Sequence, residues 1–205
     1  MRKFPTVCAC VLAAGESRRM GACKLLMPFA GTTLLDRAVD AACGCAAQEA
    51  VVVTGAFHDE MADWLAARRV HTLRNPLWSR GQASSVKTAV RYAESAGYDA
   101  VLLMVADQPH IDASHLNVLL NEYDRGICFA YLAATENRNG NPCLFDRRAF
   151  AALLELEGDE GARALFRAHR DIPARYVHFD DPRIFDDVDT PRDLVRIEEA
   201  IVGDR

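Results

Sequence analysis

The sequence predicts an α/β fold with a mostly parallel central sheet and helices on both faces of the sheet. Short apolar runs rich in Val, Leu and Ile alternate with amphipathic segments through the first half of the chain. Such alternation is typical of βαβ units, which place helices on both sides of parallel strands. The 205 residues contain no repeat, low-complexity tract or long linker, so we predict a single domain spanning residues 1–205.

The individual elements follow from the spacing of the apolar residues. Strands are predicted at residues 6–14, 49–55, 69–75 and 98–107, and the helices between them at 33–45, 57–68 and 82–95. After Asp107 the pattern loosens. The remaining elements are predicted as a helix at 112–124, a strand at 127–134, a polar turn from residue 135 that leads into another short strand, helical stretches at 147–156 and 160–169, a strand at 174–179, an Asp-rich loop, and a last helix from about 191.

The composition excludes several classes of protein. A net charge of −5 and a pI near 5.7 give no overall attraction to nucleic acid. The longest plainly apolar run, residues 101–106, is far shorter than the roughly 18 residues that a membrane-spanning helix needs. Because the N-terminus also lacks a long apolar segment with a cleavage site, we expect a cytoplasmic protein without a membrane or nucleic-acid partner.

Cysteine usage disfavours a disulfide framework and a zinc site. The seven cysteines are an odd number and include no CxxC pair. Cys8 and Cys10 fall in the first predicted strand, where residues two apart point to one face, so we expect them to fill the core.

The loops that follow the predicted strands carry the residues of chemical interest, because ligands of open α/β sheets bind outside the carboxyl ends of the strands. The first such loop, "AAGESRRMGACK", combines glycines with basic residues and is typical of an anion cradle, although neither GxxxxGK[ST] nor GxGxxG is present. Asp107 follows the fourth strand, and Pro109 stops that strand from continuing. Asp107 is therefore a candidate Mg²⁺ ligand, or alternatively a turn or N-cap aspartate.

Six segments of the sequence resemble one family. The segment "LAAGESRRMGACK" resembles the LAAGxSxRMGxxK signature of the molybdenum cofactor cytidylyltransferases, within the wider group of NTP transferases similar to molybdopterin-guanine dinucleotide synthases. Five more segments resemble the family in the same order, namely "NPLWSRGQASSVKTA", "ADQP", "NGNPCLF", "GDEGAR" and "DDVDTPRDL". Together they span Leu12 to Leu194, nearly the whole chain.

The resemblance implies a Rossmann-like nucleotidyltransferase fold, a Mg²⁺ cofactor with Mn²⁺ as the alternative, and a set of site residues. The implied catalytic residues are Arg19, Lys24 and Asp107, with Asp107 and Asp189 as metal ligands and Asp187 as a weaker third candidate. The implied nucleotide-binding residues are Leu12, Ala13, Ala14, Gly15, Lys24, Thr54, Gly55, Gly81 and Ser85. The acceptor would be bound by Gly140 and Pro142, between which Asn141 replaces the histidine often found in the family. Ser84 or Ser85 has an alternative interpretation as a helix N-cap.

The implied reaction moves CMP from CTP to the phosphate of molybdopterin, with molybdenum already inserted, and releases pyrophosphate. A molybdoenzyme of the xanthine dehydrogenase type would be the protein partner. The alternatives are transfer to another phosphorylated acceptor, of the sugar, alditol or phospholactate type, a non-catalytic nucleotide or cofactor carrier, and a nicotinamide-dependent oxidoreductase. The oxidoreductase is disfavoured because GxGxxG is missing. We expect CTP rather than GTP because Ala14 stands where the guanylyl members of the family have glycine.

Overall fold

The computed structural model describes residues 5–123 and 127–203, which form an α/β fold built on a seven-stranded sheet. The strands lie in the order β5-β4-β1-β6-β8-β7-β9. Every neighbouring pair is parallel except the two that involve β8, so the predicted mostly parallel sheet is confirmed. The strands are β1 (Val7–Ala13), β2 (Pro28–Phe29), β3 (Thr32–Thr33), β4 (Glu49–Thr54), β5 (His71–Arg74), β6 (Ala100–Val105), β7 (Ala130–Ala134), β8 (Asn139–Asp146) and β9 (Ala174–His178). The pair β2 and β3 forms a separate small hairpin that the sequence analysis missed.

Helices cover both faces of the sheet, as predicted. The α-helices are α1 (Leu34–Gly44), α2 (His58–Ala67), α3 (Gln82–Ser95), α4 (Ala113–Glu122), α5 (Phe150–Leu153), α6 (Leu165–Ala168) and α7 (Pro191–Gly203). α1, α2, α4 and α7 pack on one face, and α3, α5 and α6 pack on the other. No helix among the described residues is long and apolar enough to cross a membrane.

The alternation of side chains along β1 divides the core into two layers. Val7, Ala9 and Val11 face the layer under α1, whereas Cys8 and Cys10 face the layer under α3. All five are nearly or fully buried, as expected for a central strand covered by helices on both sides. The prediction that Cys8 and Cys10 fill the core is therefore confirmed.

The helices begin where the sequence supplies capping side chains. The Thr33 hydroxyl accepts a hydrogen bond from the Asp36 backbone N–H at 3.0 Å, and the Asp36 carboxylate accepts one from the Thr33 N–H at 3.1 Å. This reciprocal capping box fixes the start of α1. Asp112 caps α4 in the same position, accepting from the backbone N–H groups of Ser114 and His115.

As predicted, a polar turn from residue 135 leads into a strand, but Gly140 and Pro142 lie within this strand, β8, rather than in the turn. β8 is antiparallel to β6 and β7, so its first residues lie beside the carboxyl end of β6. The pairing of β8 with β7 shifts register between Leu132 and Ala133, opposite the cis Asn141–Pro142 bond. A proline in a strand is tolerated at such an irregularity because it has no N–H to donate to the ladder.

The helical stretches predicted at 147–156 and 160–169 are shorter than expected. The first is a 3₁₀ turn (Arg147–Ala149) followed by the single turn of α5, and the second is a 3₁₀ turn (Ala162–Ala164) followed by α6. The loop between them contains Gly158 at φ +57°, a left-handed backbone conformation that favours glycine. The end of the predicted helix 112–124 reaches residue 124, which lies outside the described residues.

Candidate active site at the carboxyl edge of the sheet

The loops after β1 and β6 meet because the two strands are neighbours, with Leu12 opposite Val105. Lys24, at the end of the β1 loop, donates hydrogen bonds through Nζ to Asp107 Oδ2 at 2.8 Å, to the Val188 carbonyl at 2.7 Å and to Asp189 Oδ1 at 3.1 Å. The ammonium group therefore lies between the two carboxylates that were predicted to be metal ligands.

The environment of Lys24 keeps it charged. Its side chain is only 12% exposed, and burial by itself lowers the pKa of an amine. The charges and hydrogen bonds of Asp107 and Asp189 outweigh this effect, so the pKa of Lys24 is raised above its ordinary value. Lys24 is thus a fixed cation at neutral pH.

Two arginines follow each other in the β1 loop but have different partners. Arg19 Nη1 lies 3.1 Å from Asp189 Oδ2, so Arg19 and Lys24 share one carboxylate. Arg18 instead donates to Glu16 at 2.7 Å, and its side chain is largely exposed. The structure therefore brings Arg19, Lys24, Asp107 and Asp189 together.

Asp187 joins the same cluster through Gln108. Gln108 Nε2 donates to Asp187 Oδ1 at 2.9 Å, and the Val188 N–H donates to the Asp107 carbonyl at 2.9 Å. Burial, followed by the nearby negative charge of Asp107, raises the pKa of Asp187. Groups of three or more His, Cys, Asp or Glu side chains arranged to hold a metal ion are not found in residues 5–123 and 127–203. Two carboxylates nevertheless suit Mg²⁺, which commonly takes one or two carboxylates and completes its coordination with water and phosphate oxygens.

A first cavity of about 410 Å³ opens beside this cluster, between the β1 loop and the start of α3. It is lined by Leu12, Ala14, Gly15, Glu16, Ser17, Arg18, Trp78, Ser79, Gly81, Gln82, Ser85, Val105, Asp107 and Asp159. Six of the residues expected to bind substrate or metal, Leu12, Ala14, Gly15, Gly81, Ser85 and Asp107, are in this lining. Ala13 is not, and lies buried in β1.

Thr54 and Gly55 lie behind the first cavity rather than in its lining. Thr54 is fully buried, and its hydroxyl is 2.7 Å from His58 Nδ1. A Cβ at Gly55 would lie 2.6 Å from the Ala14 carbonyl and 2.7 Å from both Ala14 Cβ and Trp78 Cβ. The absence of a side chain at Gly55 therefore leaves room for Ala14 and Trp78, both of which line the cavity.

At the start of α3, Gly81 lets the loop before this helix pack closely against the loop that contains Gly158. Its φ of +100° and ψ of 175° belong to a region that is essentially restricted to glycine. A Cβ there would overlap the Gly158 carbonyl, which accepts a hydrogen bond from the Ala83 N–H at 3.0 Å. Gly81 is itself the N-cap residue of α3, and no side chain of the described residues caps this helix, so the N-cap interpretation of Ser84 and Ser85 is wrong.

A second cavity of about 1020 Å³ lies on the other side of Asp107. It is lined by Gln82, Val105, Asp107, Gln108, Asn137, Arg138, Asn139, Gly140, Asn141, Asp159, Glu160, Gly161, Ala162, Arg163, Ala164, Arg167, Phe185, Asp187 and Asp189. Gly140 is in the lining, as expected for an acceptor site, whereas Pro142 is buried behind it. Gln82, Val105, Asp107 and Asp159 line both cavities, so the cavities meet at Asp107.

The basic residues of the second cavity were not predicted from the sequence. Arg138 donates to the Phe185 carbonyl at 3.0 Å and stacks over the Phe185 ring, while Arg163 donates to the Asn139 carbonyl. Arg163 belongs to the segment "GDEGAR", so its position in a recognised motif was the available signal. Arg19 and Lys24 line neither cavity, and they reach the junction through Asp107 and Asp189.

Comparison with known proteins agrees with this geometry. Residues 9–172 match the MobA-like NTP transferase domain. The purine catabolism protein PucB of Bacillus subtilis (strain 168) is 30% identical over 208 residues, which cover 97% of this chain and 99% of PucB. The nicotine blue oxidoreductase of Paenarthrobacter nicotinovorans is 26% identical over 201 residues, which cover 95% of this chain and 97% of that protein.

A solved structure has a similar fold over nearly the whole chain. The Mycobacterium sp. strain JC1 homologue of Mycobacterium tuberculosis rv0371c superposes with a TM-score of 0.83 at 29% identity, and the alignment covers 97% of this chain and 98% of that one. The family match covers well over half of the chain, and PucB aligns over nearly its whole length. The chain therefore belongs to the MobA-like NTP transferase family.

Proposed function

We propose that the protein transfers CMP from CTP to the phosphate group of molybdenum-loaded molybdopterin and releases pyrophosphate. The observation that carries the proposal is the position of Asp107, which is held by Lys24 at the point where the two cavities meet. In the proposed arrangement CTP occupies the first cavity and the acceptor occupies the second. The two reacting groups then meet beside Asp107.

The reaction is a substitution at the α-phosphorus of CTP. An oxygen of the acceptor phosphate forms a new bond to this phosphorus, the bond to the bridging oxygen of the β-phosphate breaks, and the electron pair leaves with pyrophosphate. A phosphate monoester has a second pKa of about 6 and is largely ionised at neutral pH. The protein therefore needs no general base, and its task is to align two anions and neutralise the charge on the leaving group.

Lys24 and Arg19 are the proposed partners of the triphosphate. Both are cations of the loop that borders the first cavity, and both contact Asp189. Cations within about 4 Å of a phosphate interact at about 1 kcal/mol in water and several times more strongly where water is excluded. We expect the two side chains to turn from the carboxylates toward the β- and γ-phosphates when nucleotide binds.

A divalent cation fits the oxygen donors of Asp107 and Asp189, with Asp187 as a third candidate. When bound there, Mg²⁺ or Mn²⁺ supplies positive charge to the phosphate oxygens. The raised pKa of Asp187 means that this carboxyl holds its proton to a higher pH than an ordinary aspartate. We therefore propose Asp107 and Asp189 as the principal ligands.

The proposed preference for CTP depends on Ala14. Ala14 lines the first cavity, and its methyl group lies next to Gly55. A single methyl group that crowds the larger base discriminates between two substrates by about 1–3 kcal/mol, or roughly 10- to 200-fold in kcat/KM. We expect wild-type protein to prefer CTP by a factor in this range, and Ala14→Gly to narrow the ratio without reversing it. Competition kinetics with CTP and GTP measure this, and equal use of both by the wild type would contradict cytidylyl transfer.

Molybdopterin as the acceptor is proposed from the resemblance of six sequence segments, and the second cavity has room for a molecule of this size. The name of the relative PucB, a purine catabolism protein, supports a molybdoenzyme of the xanthine dehydrogenase type as the recipient of the product, since such enzymes oxidise purines.

The decisive experiment is a pyrophosphate-release assay with each of the four NTPs, with and without molybdenum-loaded molybdopterin. We expect release only with CTP and this acceptor. Parallel reactions contain a sugar phosphate, an alditol phosphate or a phospholactate instead. Pyrophosphate release with one of these acceptors and not with molybdopterin would show that the proposed acceptor is wrong. The proposal of nucleotidyl transfer would still hold. No release with any pair would favour a non-catalytic carrier.

An oxidoreductase is the second candidate, because one relative that aligns over most of the chain carries that name. The glycine fingerprint of dinucleotide binding is missing from the β1 loop, which favours nucleotidyl transfer. Monitoring NADH and NADPH absorbance in the presence of the protein and nicotine blue tests the alternative, and we expect no change.

A further inference from the structure

A buried asparagine lies directly behind the first cavity, next to the start of α3. Asn75 follows β5 and is only 2% exposed. Its backbone N–H donates to the Thr54 carbonyl at 2.8 Å, which anchors it to the end of β4. Asn75 lies outside the lining of both cavities, so any effect that it has on a ligand must pass through another residue.

The orientation of the Asn75 amide group is fixed by its neighbours. The Leu77 backbone N–H donates to Asn75 Oδ1 at 2.9 Å, and a backbone N–H can only be a donor. The oxygen must therefore face Leu77, and the nitrogen faces α3. Asn75 Nδ2 donates to Ser84 Oγ at 2.8 Å and to Ser85 Oγ at 3.0 Å.

The two serines use their hydroxyl protons differently. Ser84 accepts from Asn75 and donates to the Gly81 carbonyl at 2.8 Å, so its proton is already used. Ser85 also accepts from Asn75, but within residues 5–123 and 127–203 no acceptor takes its proton. Of the two, only Ser85 lines the first cavity. Its proton is therefore available to a ligand there.

We propose that Asn75 is a positioning residue that makes Ser85 a hydrogen-bond donor toward the nucleotide, an inference that rests on the proposed binding of CTP in the first cavity. Because Asn75 Nδ2 can only donate, the Ser85 proton has to point away from Asn75, toward the cavity that Ser85 lines. The ligand atom that takes this proton must be an acceptor. The carbonyl oxygen or ring nitrogen of cytosine fits this requirement, and so does a phosphate oxygen, whereas the N–H groups of the guanine edge do not.

The test is a double-mutant cycle in which CTP affinity is measured by titration calorimetry for the wild type, Asn75→Asp, Ser85→Ala and the double variant. The carboxylate introduced by Asn75→Asp keeps the acceptor for Leu77 but cannot donate, so Ser85 would donate to it and turn its lone pairs to the ligand. We expect Ser85→Ala to weaken CTP binding about tenfold, as for one hydrogen bond. We expect the loss from Asn75→Asp to be at least about fivefold larger when Ser85 is present than in the Ser85→Ala background.

Comparison of the losses within the cycle removes the effect of the new negative charge, since that charge is present in both arms. Ser84→Ala is the matched control, and we expect it to change CTP affinity by less than about twofold because its proton is already bonded within the protein. Equal losses from Asn75→Asp on the two backgrounds would overturn the proposal. If Asn75→Asp does not fold, the contrast between Ser85→Ala and Ser84→Ala decides, and equal effects of these two variants would overturn it.

Three probes identify the acceptor atom. Loss of affinity for cytidine as well as CTP on Ser85→Ala identifies the base, and loss for inorganic tripolyphosphate identifies a phosphate oxygen. Both results support the proposal. If wild-type protein binds neither CTP nor tripolyphosphate, both the proposed function and this inference are overturned, whereas wild-type binding of CTP with no change in Ser85→Ala overturns the inference alone.

Discussion

Lys24 joins three stretches of chain that are far apart in the sequence. Its ammonium group contacts Asp107, the Val188 carbonyl and Asp189. A buried charge is tolerated only when it is paired and hydrogen-bonded, and Lys24 meets both conditions. The same contacts place a cation next to the two carboxylates that are proposed to bind metal, so the function of each of these residues depends on the others.

Asp107→Asn is expected to abolish metal-dependent turnover while leaving the protein folded. The substitution removes a charge at the junction of the cavities, and the loss of a preorganised electrostatic group of this kind costs about 3 kcal/mol or more of transition-state stabilisation, roughly 10²-fold in kcat. The measurement is pyrophosphate release alongside a thermal unfolding curve. Asp186→Asn is the matched control, because Asp186 pairs with Arg196 and lines neither cavity. Turnover of Asp107→Asn within a few-fold of wild type would contradict the metal assignment.

Lys24→Ala and Arg19→Ala are expected to weaken CTP binding more than CMP binding. The physical reason is that both cations are proposed to act on the β- and γ-phosphates, which CMP lacks. Titration of each variant with the two nucleotides gives the comparison, and Arg69→Ala, which changes a cation outside both cavities, is the control. Equal losses for CTP and CMP would place Lys24 and Arg19 away from the terminal phosphates.

At the scale of the elements, α3 depends on a close approach between two loops. Gly81 and Gly158 are in contact at its N-terminus, and the Gly158 carbonyl accepts from one of the first backbone N–H groups of the helix. The first four N–H groups of a helix have no partner within it, so this contact satisfies one of them. It also brings Asp159 to the shared wall of the two cavities.

Gly81→Ala is expected to lower both stability and CTP affinity, because the new methyl group would overlap the Gly158 carbonyl and the backbone conformation is restricted to glycine. Gly97→Ala is the matched control, since Gly97 also has a positive φ of +83° but no atom of the described residues within 4 Å of the added carbon. Gly97→Ala carries the cost of a left-handed residue, about 1–2 kcal/mol, and Gly81→Ala is expected to cost more because its backbone region is essentially restricted to glycine. Denaturant unfolding measures both costs. Only Gly81→Ala should also lose CTP affinity, and equal affinity losses would contradict this role of the contact.

A polar cluster at the opposite edge of the sheet ties β4, β5 and α3 together. Glu49 accepts hydrogen bonds from the hydroxyls of Tyr92 and Tyr98, and His71 Nδ1 lies 3.2 Å from Glu49 Oε1. Burial raises the pKa of Glu49, but the hydrogen bonds from Tyr92, Tyr98 and His71 outweigh it, so the pKa is lowered. The stabilisation from Glu49 is therefore present above its unfolded pKa of about 4.3 and is lost as the pH falls through the lower folded value.

Glu49→Gln is expected to reduce stability at pH 7 and to flatten the acid side of the stability profile. The neutral amide cannot lose a stabilising charge on protonation, so the free energy of unfolding should fall less steeply below about pH 4.3. Urea unfolding at several pH values provides the measurement, with Glu199→Gln on the exposed face of α7 as the control. A slope identical to that of the wild type would show that Glu49 does not contribute to the acid transition.

For the whole molecule, the sequence predicted the sheet and most of its helices because their apolar periods are local. The bounds predicted for the four strands and three helices of the first half agree closely with the observed bounds, and α3 was predicted with the same bounds as in the structure. The order of strands around β8 could not be predicted, since antiparallel insertion depends on long-range pairing with β6 and β7. The wider group of NTP transferases was predicted from sequence motifs and is confirmed, while membership of the cytidylyltransferases and transfer from CTP stay predictions.

The candidate site could be predicted only where a motif marks a residue directly. Asp107 and Ser85 were identified and line the first cavity. Thr54 is the last residue of β4, and its hydroxyl is turned inward to His58. The direction of a side chain at the end of a strand is not encoded in the apolar period. The structure placed Asn75 and Arg163 in supporting positions that follow from packing between distant segments.

The contacts of Lys24 also form in a fixed order as the chain is synthesised. Lys24 and Asp107 leave the ribosome well before Asp189, which is 165 positions after Lys24 in the sequence. Strands β1, β4, β5 and β6 all lie before residue 106, so four of the seven strands of the sheet can be synthesised well before the second carboxylate. The lysine then has only Asp107 as an anionic partner. A chain that stops short of residue 187 therefore has the residues that line the first cavity but lacks Asp187 and Asp189, so the second proposed metal ligand is among the last parts of the site to be synthesised.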